Sequence, residues 1–93
     1  MNVSFDTDKD AANLAKHGFS LIEAKAFEWA AALVFPDCRH DYGEARMVAL
    51  VPFRDRLFCV VFVDRPPEHP TERRIISVRK ANYREVKRYA SNN

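Results

Sequence analysis

The side chains best suited to chemistry gather between Arg73 and Glu85, where Arg73, Arg74, Arg79, Lys80 and Arg84 surround the apolar Ile75, Ile76 and Val78. Read as a strand, this run puts Arg74, Ile76 and Val78 on one face and Arg73, Ile75, Ser77 and Arg79 on the other. Each face then mixes apolar residues with a cation near an end. A strand that only had to pack would need little of this. Guanidinium is the side-chain group best matched to planar, bidentate capture of phosphate, so the run points to phosphate groups, those of RNA above all.

A second polar stretch runs from Arg39 to Arg46. Glu44 and Arg46, two apart, are expected on one sheet face, where a carboxylate beside a guanidinium can serve as base and electrophile or be a plain surface ion pair. Arg56, at the start of the following strand, is expected close to them across a hairpin. Tyr89 shares a helix face with Ala81 and Glu85 at intervals of four. It reads either as a core residue with its hydroxyl at the edge or as a group that stacks on a base or donates a proton. Lys16-His17, at a helix end, is equally open, because a terminal histidine already interacts well with the helix dipole. Cys38-Arg39-His40 offers two metal ligands with no second pair at ligand spacing, so no metal site is expected. Gly18 and Gly43 are the only glycines, which leaves no Gly-rich phosphate loop. No cofactor is expected.

The elements that must hold these residues follow from periodicity and punctuation. Met1–Phe5 reads as a short strand. Asp6 caps a helix over Thr7–His17 that Gly18 ends. Ser20-Leu21-Ile22-Glu23 has the capping-box pattern and predicts a second helix running through Ala24 and Phe27. Strands are expected at Ala32–Phe35, Arg46–Phe53, Leu57–Asp64 and Arg73–Arg79, with Arg54-Asp55 as a turn and the Pro-rich Arg65–Pro70 as an exposed loop. A last helix covers about Ala81–Ala90. This order predicts an α+β fold, N-terminal helices packed on an antiparallel β-sheet with a C-terminal helix. Leu33, Val48, Leu50, Leu57, Val61, Ile75 and Val86 are the expected core.

Composition sets the outer limits. Residues 1–93 suffice for a single domain with one core. The start is polar and no apolar stretch is long enough to span a bilayer, so no membrane association and a cytoplasmic location are expected. Two distant cysteines, Cys38 and Cys59, do not suggest a disulfide framework. The net charge of +2 conceals a division: residues 1–64 hold seven Lys/Arg against ten Asp/Glu, or −3, and residues 65–93 eight against three, or +5. Such a split suits a surface facing a polyanion, although a solvated helix face would account for it too.

Taken in order, these residues resemble the BrnT family of bacterial toxins, which have a RelE-like fold and belong to type II toxin–antitoxin modules. The matching pieces are Asp6, Lys9, Asn13 and Lys16-His17-Gly18, then Ser20 with Glu23-Ala24. Asp41-Tyr42-Gly43-Glu44 with Arg46, Arg56, Arg65, Arg74-Ile75-Ile76-Ser77, Arg79-Lys80-Ala81-Asn82, Glu85 and Tyr89 complete them. The match runs from about Asp6 to Tyr89, with Val51 standing where the family pattern leads us to expect glycine and a Pro-rich loop longer than usual.

The resemblance implies a metal-independent endoribonuclease that inhibits translation. Its partner would be a BrnA-like ribbon-helix-helix antitoxin, and operator DNA would be contacted only through the toxin–antitoxin complex. RNA cleavage by attack of the ribose 2′-hydroxyl needs a base, cations for the developing charge and a donor for the leaving oxygen. On this reading Arg46, Arg56 and Arg79 contact the phosphate, Glu44 is a possible base, and Tyr89 donates a proton or stacks. Arg74, Lys80, Tyr83 and Arg84 then bind RNA. Two other readings are a non-catalytic, RelE-like partner or co-repressor of the antitoxin, and a nucleic-acid-binding module with no enzymatic role. The second is weakened by a basic strand without aromatic residues for stacking.

Overall fold

A computed structural model describes residues 1–39 and 43–92; His40, Asp41, Tyr42 and Asn93, the first three within the polar stretch singled out above, lie outside them. Asp6 starts helix α1, Thr7–His17, by accepting from the amides of Asp8 and Lys9 at 2.7 and 3.3 Å. Acidic Asp8 and Asp10 stand in its first turn and basic Lys16 and His17 in its last, matching the helix dipole. Gly18 ends it at φ 81°, its amide donating to the Leu14 carbonyl at 2.9 Å.

The expected second helix is instead a pair of 3-10 turns, Leu21–Ala26 and Trp29–Ala31. Ser20 caps the Ile22 amide at 3.3 Å, and Asp10 of α1 accepts from the Leu21 amide at 2.7 Å and the Ser20 hydroxyl at 2.8 Å. A neighbouring element thus supplies the acceptor that a capping box would have found locally. Leu21, Ala24 and Phe27 are all buried. Their spacing of three matches the three residues per turn of a 3-10 helix, which lines them up along one edge.

Five strands form one sheet in the order β1-β5-β4-β3-β2. They are β1 (Asn2–Phe5), β2 (Leu33–Pro36), β3 (Met47–Phe53), β4 (Arg56–Arg65) and β5 (Glu72–Lys80). From β2 to β5 the pairing is antiparallel, but β1 lies parallel to β5, so the sheet is mixed at that edge. On one face Ala49, Val51, Phe58, Val60, Phe62, Ile75 and Val78 pack against Leu21, Ala24 and Phe27. Val51, where glycine was expected, is fully buried here. Each such large apolar side chain contributes roughly 1.5–3 kcal/mol on burial.

The opposite face holds a smaller cluster of Val48, Leu50, Cys59 and Val61, with Leu33, Phe35, Leu57, Ile76 and Tyr89 against it. Helix α2, Tyr83–Ser91, covers only part of this face. Asn82 and Glu85 form a reciprocal capping box at its start. Ala81, Glu85 and Tyr89 are half-buried as expected, but Val86 is 45% exposed and not a core residue. The helix touches the sheet along a narrow stripe, and position 86 lies about 100° around from Glu85. Of the other expected core residues, Val48, Leu50, Val61 and Ile75 are buried, and Leu33 and Leu57 partly so.

Two local features set up the uncovered face. The β4–β5 register shifts at Val61/Phe62, so that Val61 opposes Ser77 while Phe62 opposes Ile75, leaving Ile76 as the extra residue of a bulge. Ile75 and Val78 therefore share the face packed by the 3-10 turns, whereas Ile76 packs on the other cluster with Ser77 and Arg79 on its side. Strict alternation, which groups Ile75 with Arg79, fails at this point. Beyond Ile75, where β1 stops, buried Asn13 of α1 takes over the strand edge. Its amide donates to the Val78 and Phe19 carbonyls at 2.9 and 2.7 Å and its oxygen accepts from the Val78 amide at 3.0 Å.

Candidate active site

The uncovered face opens into a cleft of about 560 Å³. Val48, Cys59, Val61, Ser77 and Arg79 of the sheet line it, with Lys16 and His17 from the end of α1, Glu85 and Arg88 from α2, and Phe35–Arg39 after β2. Lys16, Arg39, Arg79 and Arg88 outnumber Asp37 and Glu85, leaving two net positive charges with histidine neutral. A concave, cation-rich surface attracts phosphate more strongly than the same charges spread on a convex one.

The arginines are held rigidly. Both terminal nitrogens of Arg79 donate to the Glu85 carboxylate at 2.8 Å, and Nη1 also reaches the Lys80 carbonyl at 3.2 Å. The same carboxylate accepts from the Asn82 amide at 2.8 Å, so the capping box of α2 also orients Arg79. Burial pushes the Glu85 carboxyl up, but Arg79 and the Asn82 amide outweigh it and hold the group below its ordinary value. Arg39 forks onto Asp37 at 2.8 and 2.9 Å, which lowers that carboxyl, and the Arg88 guanidinium lies 3.7 Å over the Phe35 ring. Below Arg79, burial pushes the Cys59 thiol up to about 12, so it stays protonated, and both cysteines are free.

A model of the BrnT ribonuclease toxins of type II toxin–antitoxin systems matches residues 5–85. The chain belongs to that family. Among solved structures it is similar to the Brucella abortus ribonuclease toxin BrnT, with 27% identity over 88% of this chain and 97% of that one and a TM-score of 0.67. No curated protein matches it. Membership of a type II toxin–antitoxin family implies an antitoxin partner.

The residues singled out in the BrnT-family sequence fall in three places. Arg79 lies inside the cleft. Glu44, Arg46 and Arg74 form a neighbouring group: Arg65 donates twice to Glu44, at 3.2 and 2.8 Å, and Arg46 and Arg74 act on the same carboxylate. The Arg65 hydrogen bonds above all hold Glu44 below the usual carboxylate range. Arg46 precedes β3, and alternation with Val48 puts it on the cleft side.

The remainder lie away from the cleft. Arg56 pairs with Phe53 at the closed end of the hairpin, whereas Arg46 adjoins the Met47–Phe62 pair at the open end. Seven residues of strand, about 23 Å, separate the two ends, so Arg56 does not approach Glu44 and Arg46. Tyr89 donates its hydroxyl to the Ala31 carbonyl at 2.7 Å, fastening α2 over the edge of the sheet. Lys80, Tyr83 and Arg84 are exposed around the start of α2, with Lys87 lying 5.4 Å over the Tyr83 ring.

Sequence reading passed over Arg88, Ser77 and Cys59 as site residues and left Lys16-His17 undecided. One signal was present: Asn13, one turn before Lys16-His17, is the single amide residue of a short, polar helix, and in the structure it docks that helix onto a strand edge. Among the described residues, no group of three or more His, Cys, Asp or Glu side chains is placed to hold a metal, and no helix is long and apolar enough to cross a membrane.

Proposed function

We propose that this toxin is a metal-independent endoribonuclease that cleaves RNA by 2′-hydroxyl attack in the cleft, halting translation in the cytoplasm. The observation that carries the reading is Arg79, forked onto Glu85, in the lining of a cation-lined hollow on the open sheet face. Its guanidinium and those of Arg39 and Arg88 would meet the scissile phosphate and the charge that grows on it, a preorganised arrangement that needs no reorientation during reaction. Arg46 and Arg74 would extend the basic surface along the strand's path. The partner that restrains it would be a BrnA-like ribbon-helix-helix antitoxin, with operator DNA contacted only by the complex.

The test is induction of the chain in a bacterial host without antitoxin, beside Arg79→Ala, Arg88→Ala and the double variant, following growth and RNA integrity. Growth arrest with RNA cleavage by the wild type is expected. Each single variant is expected to lower the cleavage rate by about 10²–10³-fold, the usual loss for one preorganised donor. Intact RNA and normal growth with folded wild-type protein present would favour the non-catalytic partner or co-repressor instead.

A further inference from the structure

The proton carriers the sequence nominated, Glu44 and Tyr89, are already engaged, and so is Glu85 of the cleft. Glu44 is clamped by Arg65, Glu85 is shared between Arg79 and the Asn82 amide, and the Tyr89 hydroxyl is given to Ala31. Cys59 is buried with its thiol held protonated. His17 is different. It is half-buried at the end of α1, lines both the main cleft and a smaller hollow of about 190 Å³ that adjoins it through Lys16 and Ser77, and has no hydrogen bond or ion pair from its imidazole among the described residues. A terminal histidine that merely served the helix dipole could point anywhere; this one faces the hollow that holds Arg79.

We propose that His17 is the general base of the cleavage reaction, a role that rests on the ribonuclease reading above. A neutral imidazole nitrogen takes the proton of the ribose 2′-hydroxyl. The 2′-oxygen bonds to phosphorus, the bond from phosphorus to the 5′-oxygen breaks, and the leaving oxygen takes a proton from water. The products are a 2′,3′-cyclic phosphate and a 5′-hydroxyl, and the imidazolium returns its proton to solvent. Imidazole is the side chain whose ordinary titration falls between pH 5 and 8. The charged and titratable groups around His17 are Lys9 and Lys16 on its own helix, Asp37, Cys38 and Arg39 after β2, Arg79 and Cys59 on the sheet, and Glu85 and Arg88 on α2. Asn13, one turn earlier, fixes the distance between the helix end and Arg79 through its bonds to Val78.

The experiment is single-turnover cleavage of an end-labelled RNA transcript by purified wild type, His17→Ala and His17→Gln across pH 5 to 8.5. The wild-type rate is expected to rise with pH and level off, leaving cyclic-phosphate ends. Both variants are expected to lose about 10²–10⁴-fold in rate together with the rising limb. RNA affinity is expected to change by less than about threefold, and added imidazole to restore part of the Ala variant's rate. If the Ala variant unfolds, His17→Gln is read in the same way. A variant that cleaves at near wild-type rate with the limb intact would overturn the assignment alone, as would a wild-type rate that falls with pH. A wild type that leaves RNA whole would overturn the ribonuclease reading and this one together.

Discussion

At the scale of single residues, pairing decides which charges are left for a substrate. Glu44 and Arg65 satisfy each other at an exposed site, and a carboxylate held below its ordinary pKa is a poorer base for a hydroxyl proton. Arg56 stands at the wrong end of the hairpin to share their work. Glu44→Gln and Arg56→Ala are therefore expected to cleave RNA within about threefold of the wild-type rate, in contrast to the losses expected at Arg79. Side-by-side single-turnover rates would decide, and a drop of more than about a hundredfold in either would return that residue to the site.

At the scale of elements, the joint between α1 and β5 matters most. Asn13 stands in for a missing strand by serving both backbone groups of Val78, one residue before Arg79. It thereby sets where Lys16 and His17 sit relative to the sheet. Asn13→Ala would strand a buried amide and carbonyl, each worth about 1–3 kcal/mol, so a loss of about 2–4 kcal/mol in urea unfolding is expected. For a chain of this size that lowers the thermal midpoint by more than about 8 °C. A loss under about 0.5 kcal/mol, the scale of an ordinary surface change, would show that the edge is satisfied in some other way. The helix and strands themselves were legible in the sequence, because caps and periodicity act locally. The 3-10 turns were not, since Asp10, ten residues before Ser20, holds the start of the first turn together with the Ser20 cap.

At the scale of the whole molecule, the split between an acidic first part and a basic last part is folded into one cleft lined by cations from α1, the stretch after β2, β5 and α2. Asp37 and Glu85 neutralise part of this charge, leaving about two cations' worth for phosphate. Single-stranded binding releases about 0.7 counterion per phosphate neutralised, so affinity for a 2′-O-methyl RNA should fall with salt at a log–log slope of about −1.4 or steeper. Arg88→Ala should make that slope shallower by about 0.7. Fluorescence anisotropy across a salt series measures both, and a slope near zero would argue against a phosphate-binding cleft.

The sequence by itself determined the α+β class, the first helix with its caps and the central strands. All of these depend on residue type and short-range spacing. The order and spacing of residues from Asp6 to Tyr89 also carried the family. Which side of the sheet Arg79 occupies was decided only by tertiary structure. Alternation placed it with Ile75, and a single extra residue, Ile76, turned it to the opposite face. A bulge arises from how two strands register against each other, and no local pattern in β5 records it. The separation of Arg56 from Arg46 and the entry of Lys16 and His17 into the cleft have the same origin: they depend on contacts between elements that are far apart in the chain.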